Sequence, residues 1–152
     1  MLPAMSSALR SEDVFVTPEA YLEAERVSEV RHEYVAGTVY AMAGASWQHN
    51  LVAGNIFGEL RAQLRGSPCR AFASDTQLLI RQAGDTFYYY PDAMVDCTGS
   101  KANPRDQPTV IFEVLSPSTE RHDRREKWLS YRALPSLKVY ALVDQSLSLI
   151  HI

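Results

Sequence analysis

Cysteine is scarce: Cys69 and Cys97 are the only two among 152 residues. They stand singly and far apart, which argues against the paired-cysteine knuckles that hold structural zinc. Each falls in or beside a strand-like run, so both are expected as reduced, partly buried thiols. No apolar run approaches the roughly 20 residues that a membrane-spanning helix needs, and the N-terminus lacks an uninterrupted apolar signal core. A cytoplasmic location with no membrane partner is therefore expected. Positive charge is not in surplus: 15 Lys and Arg face 18 Asp and Glu, for a formal net charge of -3. That balance speaks against a generic nucleic-acid binder, although it leaves room for an enzyme that meets phosphates through a local cationic patch. Also missing are a G-x-S-x-G elbow, a phosphate loop and a Cys–His phrase, so the common covalent and phosphate-loop hydrolases are not indicated. There is no internal repeat and no low-complexity segment.

What is present suits one domain with a single core. Residues 1–16 read as a disordered or extended lead-in and 17–152 as the domain. Thr17-Pro18 opens a helix, with the hydroxyl as N-cap and proline at the first helical position, and this helix ends near Val27. H-E-Y-V-A-G-T-V-Y-A reads as a β-hairpin about Ala36-Gly37. Ser46 caps a second helix over roughly 47–65, where Val52, Ile56, Leu60 and Leu64 form a stripe that Ala53 and Phe57 widen. Strands are expected over Cys69–Ile80, Thr86–Cys97 and Thr109–Leu115. A helix to about Ala133 follows, then a strand over Leu137–Val143. Three consecutive strands favour an antiparallel meander, and the strand–helix–strand step favours a parallel pair. The expectation is an α+β fold, with a mixed sheet flanked by helices. S-L-S-L-I-H-I after Asp144-Gln145 looks like the outgoing arm of a hairpin. Stopping there leaves a sheet edge open, to be covered by a second subunit or by further C-terminal strands.

The chemistry is concentrated between Tyr88 and Tyr131. Asp92 follows Y-Y-Y-P, and Glu113 sits in the middle of T-V-I-F-E-V-L-S. Both are acids in apolar surroundings. Two carboxylates about 4 Å apart repel by roughly 4 kcal/mol at an effective dielectric near 20, so such a pair shares a proton, holds a cation or stays apart. Strand periodicity puts Asp92 on a face with Tyr90 and Met94, and Glu113 on a face with Ile111 and Leu115. If the strands are neighbours, the two acids converge. A carboxylate pair with open positions suits Mg2+, which takes oxygen ligands and keeps several waters. Asp75, between Ser74 and Thr76 in a strand-like run, is a further candidate ligand. Arg121, Arg124 and Arg125 flank Lys127 and form a candidate nucleic-acid-binding patch, or simply a solvated helix face. The tyrosines at 88–90 read as alternate rings facing core and solvent, an outward ring being able to stack on an unpaired base.

The phrases R-H-E-Y-V-A-G, M-A-G-A-S-x-x-H, Y-Y-P-D and E-V-L-S-P-S-T, followed by D-R-R-E-K and a tyrosine, occur in that order. The ordered set resembles the Uma-two family of putative restriction endonucleases, formerly a domain of unknown function, within the PD-(D/E)xK nuclease superfamily. The likeness covers roughly residues 17–147. It implies a restriction-endonuclease-like core of helix, three strands, helix and strand, preceded by the N-terminal helix and hairpin. It implies a Mg2+-dependent DNA endonuclease, with Mn2+ able to substitute, acting as a homodimer. Asp92 and Glu113 correspond to metal ligands, and Glu33 in R-x-E-Y and His49 after A-S to supporting catalytic residues. The superfamily lysine belongs two residues after the glutamate, where this chain has Leu115. The Uma-two branch takes its lysine from the following helix, which matches Lys127, with Asp123 one turn before it. The alternative is a catalytically inactive nucleic-acid- or protein-binding module of the same fold.

Overall fold

The computed structural model describes residues 14–116, 122–146 and 150–151. Helix α1 (Pro18–Val27) begins where Ala20 N–H donates to Thr17 Oγ1 and proline fixes the first turn. Strands β1 (His32–Val35) and β2 (Thr38–Ala41) form the expected hairpin. Its two-residue turn holds Ala36 at φ 46° and Gly37 at φ 103°, a pair of positive values suited to the twist of a tight hairpin. Helix α2 (Trp47–Gln63) starts under the Ser46 cap, where His49 N–H donates to the Ser46 hydroxyl. Its apolar stripe is only half-buried.

Two of the expected strands each break in two. The run from Cys69 yields β3 (Arg70–Ala73) and β4 (Leu78–Gln82), separated by a turn in which Thr76 N–H donates to the Ala73 carbonyl. The run from Thr86 yields β5 (Asp85–Tyr89) and β6 (Ala93–Asp96), separated at Pro91, which has no N–H to continue a ladder. The breaks route the halves into different sheets. The β4–β5 hairpin joins the N-terminal hairpin in the order β2-β1-β5-β4, and β3, β6 and β7 (Val110–Leu115) continue into β8 (Val139–Asp144) and β9 (Ile150–His151). Where a single mixed sheet was expected there are two sheets, and the meander of three strands becomes the antiparallel set β3-β6-β7. The parallel β7–β8 pair, spanned by α3 (His122–Tyr131), and the antiparallel β8–β9 arm are as expected.

The larger core cluster joins Leu78, Ile80 and Tyr89 of the four-stranded sheet to Met94 and Ile111 of the other, with Tyr131 and Leu134 beside them. A second cluster packs Tyr21 of α1 on Tyr34, Leu79 and Tyr88. Both faces of β5 are covered, burying Tyr88 and Tyr89; Tyr90, just beyond it, is buried with its hydroxyl on Glu25 of α1, so none offers the outward ring expected from strand alternation.

Cys69 and Cys97 are joined in a disulfide, not held as free thiols. The β3–β6 register pairs Arg70 with Asp96, so the next rung brings the two cysteines together. Asp96 anchors the loop that follows. Burial alone would lift its carboxyl, but donors from Thr98 and Arg105 hold it below the ordinary range. Among the described residues no helix is long and apolar enough to cross a membrane.

Candidate functional site

The site forms at the junction of the two sheets. The β6–β7 register pairs Ala93 with Phe112, so one further step sets Asp92 opposite Glu113. Pro91 has ended the main-chain ladder there, and the Asp92 side chain takes its place: Val114 N–H donates to Asp92 Oδ2 at 2.7 Å. One backbone interruption therefore both separates the sheets and frees an acid to sit at the end of β7.

Glu113 points towards α3. Tyr131 Oη donates to Glu113 Oε1 at 2.6 Å, and Lys127, one turn earlier on the same helical face, reaches the same space. Lys127 Nζ lies 2.9 Å from Glu33 Oε1, which β1 delivers from the other sheet, and 5.7 Å from the centre of the Tyr89 ring. Both charged ends are largely removed from water, at 11% and 14% side-chain exposure for Lys127 and Glu33. Burial pushes the Glu113 carboxyl up to about 8. The Lys127 charge and the Tyr131 hydrogen bond pull it down, whereas Asp92 and Glu33 push it further up. Asp92 and Glu33 are thus near enough for their charges to be felt at Glu113, which is itself buried.

His49 comes from the first turn of α2. Its Nε2 stands 3.3 Å from Asp92 Oδ2, while its Nδ1 is buried with no hydrogen-bond partner among the described residues. The hydrogen bond to Asp92 raises the imidazole pKa against the opposing effect of burial.

Five of the residues singled out from sequence thus come together from five elements or their edges: Glu33, His49, Asp92, Glu113 and Lys127. Asp75 does not join them. It lies in the turn after β3, not within a strand, where its exposed carboxylate pairs with Arg31 at 2.8 Å. The break in the strand explains the correction, since a turn carboxylate needs no buried partner. Arg125 is exposed on α3. Arg121 lies outside the described residues, as do the side chains of Arg124 and of Asp123. Tyr131 was marked in the sequence as the tyrosine that closes the family's ordered phrases, and Tyr89 by nothing beyond strand alternation.

The arrangement fits a hard divalent cation. Among the described residues no three His, Cys, Asp or Glu side chains make a ready ligand cage. Mg2+ does not need one, being held through one or two carboxylates with waters and substrate phosphates. Asp92 and Glu113 supply such a pair of oxygen donors. Burial and the neighbouring acids favour the protonated form of Glu113, an acid that a nearby cation would ionise.

A family model described as "Uma2: Putative restriction endonuclease" matches residues 18–152. Two proteins of Synechocystis sp., the uncharacterized proteins sll1609 and slr1290, are 33% identical over 135 residues and 34% identical over 139 residues. Each match covers 86% of this chain, and they cover 75% and 70% of the respective relatives. A crystal structure of a putative nuclease belonging to DUF820 from Anabaena variabilis superposes with a TM-score of 0.67 at 18% identity, covering 85% of this chain and 74% of that one. At that identity the superposition speaks for a common fold.

Proposed function

This chain belongs to the Uma2 family of putative restriction endonucleases, and from that premise we propose that it is a metal-dependent endonuclease hydrolysing phosphodiester bonds in DNA. The observation that carries the proposal is the buried meeting of Asp92, Glu113, Glu33 and Lys127, drawn from both sheets and α3. In this reading Asp92 and Glu113 hold Mg2+, or Mn2+ in its place. A bound Mg2+ would supply an activated water and neutralise charge on the phosphate.

The chain's own residues do the rest. Lys127 donates towards the phosphoryl oxygens or the attacking water, the role that a lysine two residues after Glu113 would otherwise fill. Glu33 holds that ammonium on the site side of α3. Tyr131 fixes the orientation of Glu113, and the Val114 N–H and His49 fix that of Asp92. His49 is also suited to accept or return a proton at the edge of the site. Exposed Arg125, with Arg121 and Arg124, is assigned to contacts with the DNA backbone. A cytoplasmic homodimer completes the reading, the open sheet edges being surfaces on which a second copy could pair.

The test is metal-dependent cleavage of plasmid DNA. Loss of cutting in a folded Asp92→Asn variant supports the assignment, and wild-type cutting by that variant ends it. Leu115 favours the second reading, a binding module without catalysis. Calorimetry with Mn2+ separates the two, because a chain kept only for binding has no reason to take the ion at Asp92 and Glu113.

A further inference from the structure

Tyr40 stands beside this site and faces water. The β1–β2 register pairs it with Glu33, and directly opposed residues of an antiparallel pair present their side chains on the same face. Glu33 is the residue that meets Lys127, so the Tyr40 ring lies on the site's own face, one strand spacing of about 4.8 Å further out. β2 is the edge of its sheet, and among the described residues no further strand lies beyond Tyr40 to cover the ring. Tyr40 is 52% exposed and has no ring or hydrogen-bond partner among the described residues. Its neighbour Val39 pairs with buried Tyr34 and so faces the other way, towards the α1 layer.

A phosphodiester drawn to Lys127 and the Asp92–Glu113 pair carries its next nucleotide across the rim of the site, where this ring is an exposed aromatic surface. A base that is already paired keeps both faces inside the helical stack, whereas an unpaired base has a face free for an aromatic ring. We infer that Tyr40 is the stacking platform for an unpaired nucleobase flanking the phosphate held at the site. The substrate is then a single-stranded or locally opened nucleic acid, in preference to uninterrupted duplex. The inference rests on the nuclease reading for its ligand class, but its test does not depend on cleavage.

Binding is measured in EDTA with fluorescein-labelled oligothymidylate, which cannot pair with itself, and with a labelled duplex of mixed sequence. Tyr40→Ala should weaken oligothymidylate binding about tenfold, and Tyr40→Phe should bind within about twofold of wild type, because the π-face is kept. Val39→Ala, on the opposite face, should match wild type, and no variant should change duplex affinity. Thermal melts of the free proteins establish that all the variants fold. Equal binding of oligothymidylate by Tyr40→Ala and wild type overturns the inference. So does an equal loss on both probes, or a wild-type protein that binds neither. If Asp92→Asn still cuts plasmid while Tyr40→Ala loses the single strand, the metal-site assignment fails and the platform stands.

Discussion

Glu33 Oε1 and Lys127 Nζ, 2.9 Å apart, join two sheets that share no strand. Glu33 arrives on β1 of the four-stranded sheet, and Lys127 on the helix that connects β7 to β8 of the other. The same ammonium is the strongest of the influences that lower the Glu113 pKa. One cation therefore serves two acids in a volume with little water, and removing it affects both fold and chemistry.

Lys127→Met keeps much of the stem's volume and deletes the charge. It should destabilise the protein by about 3 kcal/mol, the scale for stripping one partner from a buried pair. Plasmid cleavage should fall at least about a hundredfold, as when a preorganised donor to developing charge is lost. Urea titration and initial rates with Mg2+ check the two effects separately. A stable Lys127→Met enzyme with an unchanged rate would show that the cation in the site comes from elsewhere.

The raised pKa of Glu113 gives the metal-free protein a particular pH dependence. In the unfolded chain this carboxyl titrates near its ordinary 4.5, whereas in the folded protein it titrates at about 8. Between those values the folded state holds a proton that the unfolded state has released, so stability falls as pH rises through that window. The contribution is complete below about pH 4.5 and is lost once pH passes about 8. Glu113→Gln, which cannot ionise, should lack this loss and gain a few kcal/mol relative to wild type between pH 5 and 8 in EDTA. Denaturant midpoints of both proteins across that range are the measurement, and parallel curves would refute the assignment.

Local chemistry made most of the elements legible. Thr17-Pro18, Ser46 and Ala36-Gly37 act within a few residues of themselves, and their caps and turn follow from backbone geometry alone. The meeting of Asp92 and Glu113 could be argued from strand alternation because Asp92 immediately precedes β6 and Glu113 lies on its neighbour β7. The two-sheet division could not. It depends on where the β4–β5 hairpin finds partners, and alternation is the same whether a run stays in one sheet or breaks at Pro91. Asp75, expected as a strand acid, is a turn acid because its run divides in the same way. The union of Glu33 with Lys127 joins residues 94 positions apart through that same division; family resemblance marked each of them for the site, but nothing in the sequence paired them. The cysteine bridge follows from the β3–β6 register, which exists only once the two long runs are divided.

The bridge closes a separation of 28 residues between Cys69 and Cys97. On the chain-entropy account, a loop of that size restricts the unfolded state by about 3–4 kcal/mol. Reduction with a strong thiol should therefore lower the melting temperature by roughly 10 °C for a domain of this length. A Cys69→Ser/Cys97→Ser double variant should melt like the reduced wild type and be indifferent to reductant. Mass spectrometry after alkylation establishes the oxidised state in each sample. If reductant leaves the wild-type melt unchanged although both thiols have become alkylatable, the bridge adds no stability.

Tyr131 tests whether Glu113 must be held as well as present. Its hydroxyl is buried and donates to Glu113 Oε1, and both burial and the nearby acid drive the phenol pKa well above its ordinary value, so it remains a donor at every working pH. Tyr131→Phe keeps the ring that packs edge-on against Tyr89 and Tyr140 and removes only the donor. Stability should fall by about 1–3 kcal/mol because a buried acceptor loses its partner. Losing a hydrogen bond that favours the ionised carboxyl also moves Glu113 above about 8, since that bond now lowers its pKa. Metal binding at pH 7 must then displace a more tightly held proton, so Mn2+ affinity should drop, and raising the pH to 9 should restore most of it. Calorimetric titration at the two pH values distinguishes this from a purely structural effect. A damaged site would stay weak at both, whereas a carboxyl that has lost only its donor recovers once it is ionised.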